Sequence, residues 1–150
     1  GNDRNLRYAD PVRSDAEGVS VLEALPMGEL PLEVDVDGCV LTDTLSAGER
    51  THTVEIPARC ELRVQVIGEP ATDAVGRDRL RLRPRAPLAG NARWLDAPPA
   101  PGRFVSTGVF PGTYEVELVR EAAGAVIAWK SAPVRVTVAG GEPTELTLEL

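Results

Sequence analysis

Aromatic residues are scarce in this chain: two tryptophans, two tyrosines and two phenylalanines make up 4% of its 150 residues. A core must therefore rest on Val, Leu, Ile and Ala, whose burial is worth roughly 25 cal/mol per Å² of apolar surface. Positive charge is in short supply as well. Sixteen basic residues face 23 acidic ones, for a net charge of −7 and a pI near 4.8. Phosphate neutralisation needs a basic face, and this acidic balance argues against one, so no nucleic-acid partner is expected. No apolar run approaches the roughly 20 residues that cross a bilayer, so no membrane insertion is expected. One histidine, His52, and two cysteines, Cys39 and Cys60, cannot build a tetrahedral zinc site, and no cofactor is expected. The chain opens polar at Gly1-Asn2-Asp3-Arg4 without an apolar signal core and closes on Leu146, Leu148 and Leu150. It is expected to be a mature or excised segment.

What is plentiful is glycine and proline, 14 and 13 residues. That density excludes long helices and suits short strands joined by tight turns. The strands themselves show in the alternation. Leu32, Val34 and Val36 alternate with Glu33, Asp35 and Asp37. Asp37-Gly38 then supplies the two positive-φ positions of a type I′ hairpin turn. Val40–Leu45 is the return strand, and Arg50–Ile56 the third strand of a meander. Further strands are expected at Glu61–Ile67, Arg77–Arg83, on both sides of Phe110-Pro111-Gly112, and at Ala125–Trp129, Val134–Val138 and Thr144–Leu150. The Pro111-Gly112 pair predicts a type II turn between two strands. Val19–Ala24 reads as a strand or a helical turn stopped by Pro26. Residues 68–76 and 84–101 read as loops, the second a long surface loop with five prolines and Trp94-Leu95 as its apolar anchor.

The expected organisation is a flexible tail over 1–18, a β-meander or partial β unit over 19–59, and a complete β unit over 60–150. A short echo between residues 47–56 and 139–148 supports that boundary. The fold class is all-β, an antiparallel sandwich of about seven strands preceded by the meander.

Residues 60–150 resemble the carboxypeptidase regulatory-like domains, transthyretin-like or prealbumin-like β-sandwiches. The resemblance rests on Leu62-Arg63-Val64-Gln65-Val66, Leu80-Arg81-Leu82, Gly102-Arg103-Phe104, Val109-Phe110-Pro111-Gly112-Thr113-Tyr114, Val134-Arg135-Val136-Thr137-Val138 and Leu146-Thr147-Leu148. It implies a non-catalytic module that sits beside other domains of exported proteins, and it supplies no active-site residue. The expected function is a structural or protein-interaction module of a larger exported bacterial protein, periplasmic, cell-surface or secreted. Its partners would be protein domains of the same or a neighbouring chain.

The alternative is a glycan- or peptide-binding module using Trp94 and the face formed by Arg77, Arg79, Arg81 and Arg83. Guanidinium groups in a row suit bidentate recognition of an anionic glycan or an acidic partner. The competing reading pairs them with Glu115, Glu117 or Glu61 across neighbouring strands. Trp94 is either a sugar-stacking platform or a pin for its loop, and Trp129 is expected in the core. Cys39 and Cys60 permit one disulfide in an exported protein, or they are two small buried thiols. Glu33, Asp35, Asp37 and Asp43 offer oxygens for calcium, against the reading of a solvated strand face. His52 lacks a nucleophile in sequence context, as do Ser14, Ser20, Ser46, Ser106 and Ser131.

Overall fold

The computed structural model describes residues 11–23, 25–46, 48–68, 76–96, 102–123, 125–129 and 131–150, the side chains of 127–129 excepted. Eleven strands and no helix run through them: β1 (Glu29–Val36), β2 (Cys39–Ser46), β3 (Cys60–Ile67), β4 (Arg77–Arg85), β5 (Ala89–Gly90), β6 (Arg93–Asp96), β7 (Arg103–Val109), β8 (Gly112–Ala122), β9 (Ala125–Trp129), β10 (Val134–Val138) and β11 (Thr144–Glu149). The fold class is all-β, as the alternation implies. Of the tail expected over 1–18, residues 1–10 lie outside the described set, as do 69–75 of the first loop and Pro98, Pro99 and Pro101 of the second. The expectation that Trp129 is core falls on a side chain outside it too. Residues 11–18 are exposed and irregular, and Asp15 Oδ1 accepts from the backbone of Glu17 and Val19 at 3.0 and 2.8 Å. Residues 19–23 form neither the strand nor the helical turn expected there. The chain divides into two compact units, Gly1–Leu32 with Asp43–Val54, and Glu33–Thr42 with Glu55–Leu150.

The second unit holds the core. On each strand the even-spaced aliphatic residues point one way: Leu62 and Val64 on β3, Leu80 and Leu82 on β4, Val116 and Leu118 on β8, Val136 and Val138 on β10, with Leu148 on β11. All are buried, and Leu62, Leu80, Val116 and Leu148 have no measurable exposure. These side chains come from two sheets that share one apolar cluster. One sheet runs β10-β8-β4-β6, with β9 also on β8; the other runs β11-β3-β7. All seven strands expected over 60–150 are present.

Their pairing departs from expectation in four places. The strands flanking Phe110-Pro111-Gly112 are not a hairpin, because β7 pairs with β3 and β8 pairs with β4 and β10. The segment is a corner that carries the chain from one sheet to the other. Gly112 accordingly has φ 150°, far from the roughly +80° of a type II turn. Next, β11 joins β3 in parallel, Thr144 opposite Leu62 through Glu149 opposite Ile67, so the architecture is not purely antiparallel. Arg50–Ile56 forms no strand, and the third strand beside β1 and β2 is β5, taken from the proline-rich segment. That segment is not one long loop either: β4 runs on through Pro84 to Arg85, and β6 adds to β4 as an edge strand. The predicted turn at the tip of β1 and β2 does form, with Asp37 and Gly38 at φ 52° and 81°. Gly90 passes so close to that tip that a Cβ would stand 2.2 Å from the Gly38 carbonyl oxygen.

The corner is fastened by Tyr114, whose buried hydroxyl donates to the Phe110 carbonyl at 2.8 Å. Leu88 fills the space beside it, and a Cβ on Gly112 would lie 2.1 Å from Leu88 Cδ1. Gly112→Ala should therefore cost about 2 kcal/mol by overpacking, read from the midpoint of urea unfolding. Burial pushes the Tyr114 phenol up to about 12 from its ordinary 10. The unfolded chain releases that proton first, so the Tyr114 contribution to stability should be level below pH 10 and fall as pH rises toward 12. Tyr114→Phe should remove this alkaline fall and lower stability at neutral pH by about 1 kcal/mol.

Candidate functional site: the arginine and carboxylate face of β4 and β8

Period-two alternation that buries Leu80 and Leu82 puts Arg77, Arg79, Arg81, Arg83 and Arg85 on the opposite face of β4. The same rule on β8 places Glu115, Glu117, Val119 and Glu121 on that face, and the register sets Arg81 opposite Glu117, Arg83 opposite Glu115 and Arg77 opposite Glu121. Arg81 donates through Nε and Nη2 to Glu117 Oε2 at 2.9 and 2.5 Å. Arg79 reaches diagonally, Nη1 to Glu121 Oε2 at 2.7 Å, with Nε 3.0 Å from Asp96 on β6. Arg77 Nη1 lies 3.6 Å from the same Asp96 oxygen. Arg85 donates to Glu115 through Nε at 2.9 Å and also through Nη2. That bond, with the charges of Arg83 and Arg135 nearby, holds the Glu115 carboxyl below its usual range. The Arg79 guanidinium is in turn held further in its charged form by Glu121.

Trp94 is therefore on a strand, not a loop, opposite Arg81. The guanidinium carbons of Arg79 and Arg81 stand 5.3 and 5.9 Å from its ring centre, within cation–π range. This face is not an open surface. Glu117 and Glu121 side chains are 11% and 12% exposed, Arg81 and Arg79 15% and 18%, and Val119 between them is fully buried. Of the expected acidic partners, Glu117 meets Arg81, Glu115 meets Arg85, and Glu61 pairs with Arg63 on its own strand.

Cys39 and Cys60 are unbonded in this structure, one half-buried and one buried, and both pack on the core. Burial pushes the Cys39 thiol up, with Asp35 adding to the shift and Arg59 opposing it. A thiol held up in this way is poorly suited to nucleophilic work at Cys39. Three aspartates of the β1–β2 hairpin have separate partners: Asp35 accepts from Gly38 N at 2.8 Å, Asp37 in the turn pairs with Arg59, and Asp43 meets His52. Among the described residues no group of three or more acidic, histidine or cysteine side chains could hold a metal ion. Ser106 is buried with its Oγ unpartnered among the described residues.

Sequence reasoning missed Arg59 and Arg93. Both donate to the Gly108 carbonyl, at 3.3 and 2.5 Å, and Arg59 also lies over the Phe110 ring at 4.8 Å. They border a crevice of about 40 Å³ with Asp37, Cys39 and Tyr114, room for little more than a water molecule. No local pattern marks them, because their shared acceptor is 15 and 49 residues away. The chain matches no protein-family model and none of the curated proteins.

The Arg81–Glu117 pair supplies a direct test. Glu117→Gln should destabilise by about 2 kcal/mol, since it takes the carboxylate from a mostly buried guanidinium. Arg81→Met combined with Glu117→Leu should cost less than the sum of the two single changes, measured by urea unfolding in a double-mutant cycle.

Proposed function

We propose that this chain is a non-catalytic structural or protein-interaction module of a larger exported bacterial protein, built as a transthyretin-like or Ig-like sandwich. The observation that carries the reading is the self-pairing of its most charged face. Arginines that would bind an anionic ligand are already engaged by Glu117, Glu121, Asp96 and Glu115. A site that recognised ligands through this face would first have to break those pairs.

Two further features support it. A tyrosine at the start of a strand, bonded back to the backbone four residues upstream where the chain changes sheets, is similar to the tyrosine corner of Greek-key sandwiches, which supports that reading. The Gly102-Arg103-Phe104 and Pro111-Gly112-Thr113-Tyr114 segments that carry the resemblance to carboxypeptidase regulatory-like domains lead directly into that corner. A module of this kind takes its role from the domains it joins.

The rival, glycan or peptide binding through Trp94 and the arginine row, is separated by array binding. The intact chain should bind no glycan or peptide above background and turn over no generic ester or peptide. Trp94→Ala should lower its thermal midpoint without changing either result. Sugar binding by the native chain that Trp94→Ala abolishes, with the fold retained by circular dichroism, would establish the rival.

A further inference from the structure

His52, the chain's single histidine, is bracketed by two carboxylates. Its Nδ1 lies 2.9 Å from Glu49 Oε2 and its Nε2 3.0 Å from Asp43 Oδ2. A neutral imidazole carries one N–H and one lone pair, and an ionised carboxylate can only accept. The neutral ring would thus set a lone pair against a carboxylate at one of these contacts. Only the doubly protonated ring satisfies both. Among the described residues, Asp43 from β2 and Glu49 from the turn are the ionisable groups that act on this ring.

The position of this cluster carries the second half of the inference. Glu49 N donates to Ser46 O at 3.2 Å, which closes a turn after β2. Counting outward from that bond, Thr51 falls opposite Thr44 and His52 opposite Asp43, the register of an antiparallel hairpin. Yet residues 51–59 join no ladder, and β5 covers β2 only at Cys39 and Val40. Among the described residues, what sets this segment opposite β2 beyond the turn is the His52–Asp43 side-chain contact.

We propose that residues 50–54 are a latent strand of the β1-β2-β5 sheet, and that the proton on His52 is the latch holding them in register along β2. With the ring charged the segment is docked; with the ring neutral it is released, and the free edge of β2 from Thr42 to Ser46 is uncovered.

The direction of titration agrees with the geometry. Hydrogen bonds to Asp43, then Glu49, raise the His52 pKa above 6.5, and the bond to His52 lowers that of Asp43 below 3.8. The histidine contribution is complete below pH 6.5 and lost as pH climbs through the raised value. Asp43's contribution is present above pH 3.8 and lost as pH falls through the depressed one. The latch is closed between those limits.

Nuclear magnetic resonance on the native chain tests this directly, because one histidine gives one imidazole titration. The backbone heteronuclear NOEs of Thr51, His52 and Thr53 should fall from values like those of β2 to those of a free segment over the same pH interval in which the His52 ring loses its proton. His52→Gln should show the released values there at every pH. His52→Arg, a permanent cation able to meet both carboxylates, should keep the docked values through the alkaline range. Backbone order in the native chain that ignores the ring's titration, or a His52→Gln variant that keeps the native pH step, would overturn the proposal.

Discussion

β8 has to be buried on both of its faces, and the rest of the second unit follows from that constraint. Its inner face, Tyr114, Val116 and Leu118, meets the opposing sheet, as apolar residues of alternating strands ordinarily do. Its outer face carries Glu115, Glu117, Val119 and Glu121, and these are nearly as hidden. Carboxylates removed from water need donors on hand, and β4 supplies guanidinium groups along its full pairing with β8. The charged alternation of β4 is thus a structural requirement of its neighbour. This explains how an acidic protein comes to concentrate arginine in one strand.

The second constraint is the passage between sheets. A strand that leaves one sheet for another must turn without local ladder bonds, and its backbone groups need other partners. Tyr114 supplies one to Phe110, and Arg59 and Arg93 supply two to Gly108 immediately before the corner. Leu88, from the segment after β4, closes against Gly112. The residues that secure the passage therefore come from four separate parts of the chain.

That distribution marks the boundary of what could be read beforehand. Strand positions and buried faces were legible because period-two alternation is local: Leu62 and Val64, Leu80 and Leu82, Val136 and Val138 declare their side without reference to anything else. Asp37-Gly38 declared its turn for the same reason. Partner choice was not legible. Pro111-Gly112 suits a hairpin by its own chemistry, and only the competing claims of β3 on β7 and of β4 on β8 turn it into a corner. Arg50–Ile56 has the pattern of a strand, but Ala89–Gly90 takes the end of the edge it would use. The expected cross-strand ion pairs were right in kind, whereas Asp96 entered through a strand, β6, that proline content had hidden, and Glu121 through the far end of β8.

The parallel union of β3 with β11 has a consequence for how the chain is made. Leu62 and Thr144 are partners 82 positions apart in the chain, and no nearer segment covers that edge of β3 among the described residues. Pairings of such long sequence separation form slowly, since loop closure precedes any compensating contact. A ribosome would have to synthesise past Glu149 before Leu62 and Val64 could find their final neighbours. Until then the nascent polypeptide would carry an unfinished sheet with an unpaired strand edge, a state suited to chaperone binding.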